Sequence, residues 1–178
     1  MLNDRPALAH LGIFVTDIGA MERFYTAVFG LLVTDRGTGK VFKNDLVFLS
    51  GASDQHHQVV LSSGKAPDTP STVMQLSFKV PSLDALRERR QVALDHGAAD
   101  LMCLNHGNAW SIYFFDPEGN RIEIYLDTPF HTPQPCGEPL DLELNDDEIL
   151  ESTRLLIEQL PGSMTSEAFA QHMAQRLS

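Results

Sequence analysis

The chain has 178 residues, 43% of them hydrophobic and 21% charged, which is enough for one domain with a core or two half-domains sharing one. Its formal net charge of −11 argues against nucleic acid and anionic membrane as partners, and no run approaches the ~18 apolar residues of a membrane span. Two cysteines, Cys103 and Cys136, make neither a disulfide framework nor a CxxC site. With MLNDRPALAH lacking both the basic start and the apolar stretch of a signal peptide, a reduced, cytoplasmic protein is expected.

In chain order, the first element is the alternating run from His10 through Val15, which reads as a strand. Asp17 then caps a helix whose apolar positions 21, 24, 25 and 28 share one face, and Gly30 stands at its C-terminal cap. The stretches LLVTD, VFKNDLVFLSG and HHQVVLSS follow as strand-like runs. At Gln75 the pattern restarts. QLSFKVPSLDALRER aligns without gaps to HLGIFVTDIGAMERF, 65 positions earlier, so Gln75 matches His10. Ser82 caps the second helix, which carries Leu83, Leu86 and Leu94 and ends near Gly97; ADLMCLN, AWSIYFF and NRIEIYL are the strands after it.

Each unit therefore reads β-α-β-β-β. A sheet with a helix on one side leaves its other face uncovered, and two such units can bury that face together. The expected fold is α+β: two βαββ(β) modules, about residues 6–64 and 71–130, forming a curved mixed sheet around a cleft within a domain of residues 1–130. A C-terminal helical extension is expected over 131–178. Its proline-rich start, LDTPFHTPQPCGEPLDL, predicts no regular structure. Asn145 caps a helix with Ile149, Leu150, Leu156 and Ile157 on one side, and Thr165 opens another with Phe169, Met173 and Leu177. These helices read either as a hairpin packed on the domain or as a lid or dimer arm with His131 near its root. Nine acidic and two basic residues from Glu138 onward give this end a net charge of −7, leaving −4 for the preceding 137 residues.

The paired units, LAHLGIFVTD and DPEGNRIEIY resemble the vicinal oxygen chelate superfamily, which includes glyoxalase I, bleomycin-resistance proteins, fosfomycin-resistance enzymes and type I extradiol dioxygenases. The resemblance covers about residues 6 to 130 and implies His10, Gln75 and Glu123 as ligands of a divalent metal, with open positions for a substrate bound through two adjacent oxygens. Without the resemblance, His10 reads as a satisfied polar residue on a half-buried strand. Glu123, among apolar neighbours in IEIYL, either faces outward or is buried, where an unpaired carboxylate is costly unless a metal or a basic partner answers it.

Within the superfamily, a glyoxalase I implies a glutamate in DQHHQVVLSS, where the 65-residue offset puts Gln58, and a two-residue shift Val60, opposite Glu123; neither is acidic. HHQVVL instead resembles the extradiol dioxygenase segment that carries a histidine beside the metal, here His57. NHGN implies His106 as a further active-site histidine, and YFFDPEGNRIEIY implies Tyr113 as the tyrosine near the bound catecholate. The resemblance thus implies an extradiol-type ring-cleaving dioxygenase, most similar to the one-domain members, acting on a catechol-like aromatic with dioxygen. Fe(II) is the implied metal, with Mn(II) as the alternative, and a homodimer or higher homo-oligomer is the implied assembly. His57 would serve as acid and base, and His106 and Tyr113 as hydrogen-bond partners of the substrate oxygens. Gln75 departs from the pattern, since extradiol dioxygenases carry a histidine there. That keeps two alternatives open: a non-oxidative glyoxalase-like lyase or isomerase, and a bleomycin-resistance-like protein that binds a ligand without catalysis.

Overall fold

A computed structural model describes residues 6–177; residues 1–5, which begin the segment read for a signal peptide, and residue 178 lie outside it. The elements in order are β1 (Leu11–Val15), α1 (Ile18–Phe29), β2 (Leu32–Thr38), β3 (Asp45–Ser50), β4 (Val59–Ser63), β5 (Leu76–Lys79), α2 (Leu83–Asp95), β6 (Ala99–Asn105), β7 (Ala109–Phe115), β8 (Arg121–Asp127), β9 (Phe130–His131), β10 (Glu138–Pro139), α3 (Asp146–Glu158), β11 (Met164–Thr165) and α4 (Ser166–Leu177). The α+β class read from the sequence holds. The chain forms two compact units: unit 1 runs up to Thr72 and includes Asp116–Gly119, and unit 2 comprises Val73–Phe115 and the described residues from Asn120 onward.

Unit 1 holds a four-stranded sheet in the order β1-β4-β3-β2, with β1 and β4 parallel and the other pairs antiparallel. Asp17 accepts a hydrogen bond from Ala20 N at 2.9 Å, and Gly30 ends α1 at φ 67°, a left-handed turn that a Cβ would strain. Between these caps Met21, Phe24, Tyr25 and Val28 are buried, the four positions the periodicity selects. Each such side chain contributes roughly 1.5–3 kcal/mol on burial. The segment Asp116–Gly119 is tied into this unit: Glu118 accepts from Thr16 N and Asp17 N and pairs with Lys65 at 3.3 Å. Tyr25 donates to Asp116 at 3.2 Å, and its own pKa is pushed well up, first by burial and then by that carboxylate.

Unit 2 repeats the plan with one added strand, in the order β10-β6-β7-β8-β5, again with one parallel pair, β5 and β8. Ser82 caps α2 by accepting from Ala85 N at 3.2 Å. Leu83, Leu86 and Ala93 are buried on this helix, while Leu94, expected on the apolar face, is exposed one position off the stripe.

The segment read as irregular carries two-residue strands, β9 and β10. β10 pairs Glu138 with Asn105 and Pro139 with Leu104 at the sheet margin, where a proline's missing N–H is tolerated. After it, Asn145 and Glu148 form a reciprocal capping box at the start of α3. α3 buries Ile149 and Ile157, as read, with Thr153 between them, and leaves Leu150 exposed, so its inner face is rotated from the expected stripe. The cause is polar: Thr153 Oγ1 accepts from Asn105 Nδ2 at 2.9 Å and from Trp110 Nε1 at 2.8 Å, serving two buried donors. α4 buries no residue; Phe169 stacks on His131 with ring centroids 3.6 Å apart, and β11 pairs with β9.

Candidate active site

The register of the two parallel pairs fixes which positions correspond. Leu11 pairs with Val59 and Gly12 with Val60 in unit 1, while Leu76 pairs with Ile122 and Ser77 with Glu123 in unit 2. Val60 is therefore the counterpart of Glu123, which selects the two-residue shift over the 65-residue offset. Gln58 is occupied elsewhere: its side-chain oxygen accepts from Gly51 N at 3.0 Å. The strand expected to begin at His56 begins at Val59, so His56 and His57 lie on the segment entering β4.

In unit 2, strand alternation puts Gln75, Ser77, Glu123, Ser111 and Tyr113 on one face, because residues paired across strands share a face and residues two apart return to it. Glu123 is 8% exposed. Its Oε1 accepts from Ser111 Oγ at 2.9 Å and Tyr113 Oη at 2.5 Å; its Oε2 accepts from Ser77 Oγ at 2.6 Å and Gln75 Nε2 at 2.9 Å. Four donors satisfy the roughly four lone-pair sites of a carboxylate, so the cost of burying Glu123 is met within unit 2 by hydroxyls and an amide. His106 extends the line: its Nε2 lies 2.9 Å from Tyr113 Oη, and its Nδ1 donates to Cys136 O at 2.5 Å. Tyr113 has its pKa raised, first by burial and then by the Glu123 hydrogen bond and charge, so its hydroxyl stays protonated at neutral pH.

Beside this line is a cavity of about 310 Å³, lined by Gln75 and Tyr113 together with Met74, Met102, Leu104 and Phe115. Asp100 and Arg121 add one charge of each sign to its wall, and the Arg121 guanidinium stands 5.7 Å from the centre of the Phe115 ring. That volume is at the lower end of small-molecule sites, and the apolar wall with a few polar groups is their usual make-up.

Unit 1 gathers the remaining expected residues. The rings of His10 and His57 lie 4.3 Å apart, and Phe48 meets His56 and His57 edge-on at 5.6 and 5.2 Å. His57 has its pKa lowered, first by desolvation and then by the charges of His10 and His56. His56 contacts both His57 and Asp35 through its two ring nitrogens.

The structure thus joins Gln75, Glu123, Tyr113 and His106 in unit 2 and His10 with His57 in unit 1. Sequence reasoning missed Ser77 and Ser111, although each is a polar residue two positions from a chosen one in an alternating strand. It also missed Asp35. Among the described residues no group of three or more His, Cys, Asp or Glu side chains is placed to hold a metal ion; of the expected set only His10 and Glu123 are of those types.

The family model described as the glyoxalase/bleomycin resistance protein/dioxygenase superfamily matches residues 7–124. Biphenyl-2,3-diol 1,2-dioxygenase 3 of Rhodococcus globerulus is 30% identical over 135 residues, covering 72% of this chain and 67% of that protein. Among solved structures, a glyoxylase/bleomycin resistance protein/dioxygenase domain from Frankia sp. EAN1pec superposes with a TM-score of 0.58 at 21% identity, covering 70% of this chain and all of that one. A fosfomycin resistance protein, FosX, from Listeria monocytogenes, solved with Mn(II) and sulfate, gives 0.53 at 18% identity over 68% of this chain and 93% of its own. By the match to its family model and the dioxygenase relative, this chain belongs to the glyoxalase/bleomycin resistance protein/dioxygenase superfamily.

Proposed function

We propose that the chain is a metal-dependent, extradiol-type ring-cleaving enzyme acting on a catechol-like aromatic and dioxygen. In this reading His10, Gln75 and Glu123 hold the metal, and His57, His106 and Tyr113 act on the substrate. The observation that carries it is the hydrogen-bonded line His106–Tyr113–Glu123, which links residues chosen from separate stretches of sequence and borders an apolar cavity of about 310 Å³. The dioxygenase relative supports the same chemistry.

The donor types fit a divalent cation: an imidazole, a carboxylate and an amide oxygen suit iron(II), manganese(II) or magnesium(II). Gln75 commits its amide nitrogen to Glu123 and Ser77, which leaves Oε1 as its ligating atom. When bound, such a metal supplies a Lewis acid for two adjacent substrate oxygens. The chain's own residues do the rest. Tyr113, held protonated, has a single proton, which it gives to Glu123; turned from that carboxylate, the hydroxyl donates to charge developing on a substrate oxygen rather than acting as base. His106 has its Nδ1–H held by Cys136 O, so in a neutral ring Nε2 is an acceptor set 2.9 Å from Tyr113 Oη, the alternative to Glu123 for the hydroxyl's single proton. His57, whose lowered pKa keeps it neutral at physiological pH, takes the proton of a substrate hydroxyl. The aromatic ring lies against Met102, Leu104 and Phe115. Iron(II), with manganese(II) as the alternative, a cytoplasmic location and a homodimer or higher homo-oligomer belong to the same proposal.

One observation favours a second reading, a ligand-binding protein without metal. Glu123 already has four donors, so an ion must displace at least one of them. Anaerobic reconstitution with iron(II), followed by oxygen uptake with 2,3-dihydroxybiphenyl or 3-methylcatechol, tests the leading reading. Stoichiometric uptake with a yellow ring-opened product supports it. Tight binding of the diol with no uptake supports the second.

A further inference from the structure

The histidines of unit 1 form a directed chain. His56 Nε2 lies 2.8 Å from Asp35 Oδ2, and His56 Nδ1 lies 2.9 Å from His57 Nδ1. An ionised carboxylate only accepts hydrogen bonds, so His56 carries its proton on Nε2. In a neutral ring its Nδ1 is then a lone pair, and the contact between the two histidines requires a proton on His57 Nδ1. That assignment leaves His57 Nε2 as the nitrogen with a free lone pair.

We propose that Asp35 and His56 are positioning residues that lock His57 in its Nδ1–H tautomer, so that Nε2 is the basic nitrogen offered to substrate. The inference rests on the reading of His57 as the acid–base group. The proton transfer balances simply: the substrate O–H bond breaks, its electron pair stays on oxygen, and the proton forms the second N–H bond of His57. The imidazolium so formed keeps its Nδ1–H on His56, whose own N–H faces the Asp35 carboxylate.

Two features of unit 1 support this beyond the contacts of the ring nitrogens. The ladder between β2 and β3 shifts register between Val33 and Asp35, and such bulges re-aim the side chain that follows them. Asp35 thereby pairs with Phe48, which puts both on one face of the sheet. Phe48 is also the ring that meets His56 and His57 edge-on, so one residue borders both imidazoles. The two histidine rings themselves stand nearly perpendicular, at 88°. The charged or titratable neighbours of His57 are His10 and His56, with Asp35 beyond them.

The test is the tautomer itself. Long-range proton–nitrogen correlation spectra of the full chain, with Mg(II) present as a diamagnetic ion, are recorded above the histidine titration range, and His57 is assigned by its loss in His57→Gln. The proposal expects protonated Nδ1 and pyridine-like Nε2 for His57. In Asp35→Ala and in His56→Phe it expects a switch toward the Nε2–H form that free imidazole side chains favour. A His57 already in the Nε2–H form, or a tautomer unchanged in both variants, overturns it. Amide spectra confirm that each variant is folded. Turnover separates this inference from the one it rests on: with an active enzyme, kcat in both variants falls by about 10–100-fold at unchanged KM. An inactive protein removes the proposed reaction and leaves the tautomer result to decide the relay.

Discussion

Tyr113 donates its hydroxyl to Glu123 across the antiparallel β7–β8 pair, in direct register and at 2.5 Å. The bond joins a side chain expected to contact substrate to one expected to contact metal. Tyr113→Phe removes that donor and the partner of His106 while keeping the ring. Loss of an oxyanion-type donor lowers kcat by about 10²–10³-fold, and the lost buried hydrogen bond destabilises the fold by about 1–2 kcal/mol. Steady-state kinetics and urea unfolding measure the two effects separately.

Ser77, Ser111 and Gln75 supply the other donors of the carboxylate. Ser111→Ala leaves one lone-pair site of a buried charge empty, which costs about 1–3 kcal/mol. A metal that competes with these donors for Glu123 gains from the same change. Ser111→Ala is therefore expected to be less stable without metal and to bind Mn(II) more tightly, as calorimetry and metal-dependent shifts in Tm will report.

Thr153 on α3 serves the buried donors of Asn105 and Trp110 with one oxygen. Thr153→Val keeps the shape and orphans both, with an expected loss of about 2–4 kcal/mol. α4 buries no side chain, so deleting residues 166–178 is expected to change Tm far less than this single substitution. Thermal unfolding of the two variants side by side is the comparison.

Tyr25 and Tyr113 both have raised pKa values, each caused first by burial. Below about pH 10 the folded and unfolded chains both keep these protons; above it the unfolded chain releases protons that the folded one retains. Stability is therefore full below about pH 10 and falls as pH rises beyond it. Tyrosinate absorbance should show two of the chain's three tyrosines ionising only as the protein unfolds.

Much of this was legible in the sequence because it depends on period and caps. Asp17, Ser82 and Asn145 cap their helices as read, and the strands ADLMCLN and AWSIYFF match β6 and β7 residue for residue. Grouping Tyr113 with Glu123 followed from resemblance, and strand parity explains their contact. What escaped was set by tertiary partners. Thr153 is buried on α3 between Ile149 and Ile157 because two donors from β6 and β7 need its hydroxyl. Asp35 reaches His56 after a bulge that no alternation pattern reveals. The short strands β9 and β10 arise from pairing with β11 and β6, not from local propensity. In the sequence a buried Glu123 reads as a carboxylate in need of a cation, and the donors that satisfy it come from β7, from β5 and from the residue just before β5.

The central claim is that Glu123 and His10 hold a divalent metal despite the glutamine at position 75. Metal content and affinity of protein purified without chelator test it most directly, beside His10→Ala, Glu123→Ala and Gln75→His. The account predicts about one divalent ion per chain, lost in both alanine variants and held more tightly with a histidine at 75, where imidazole replaces an amide oxygen. A protein that stays metal-free when offered iron(II) or manganese(II), with unchanged ligand binding in all three variants, would contradict it.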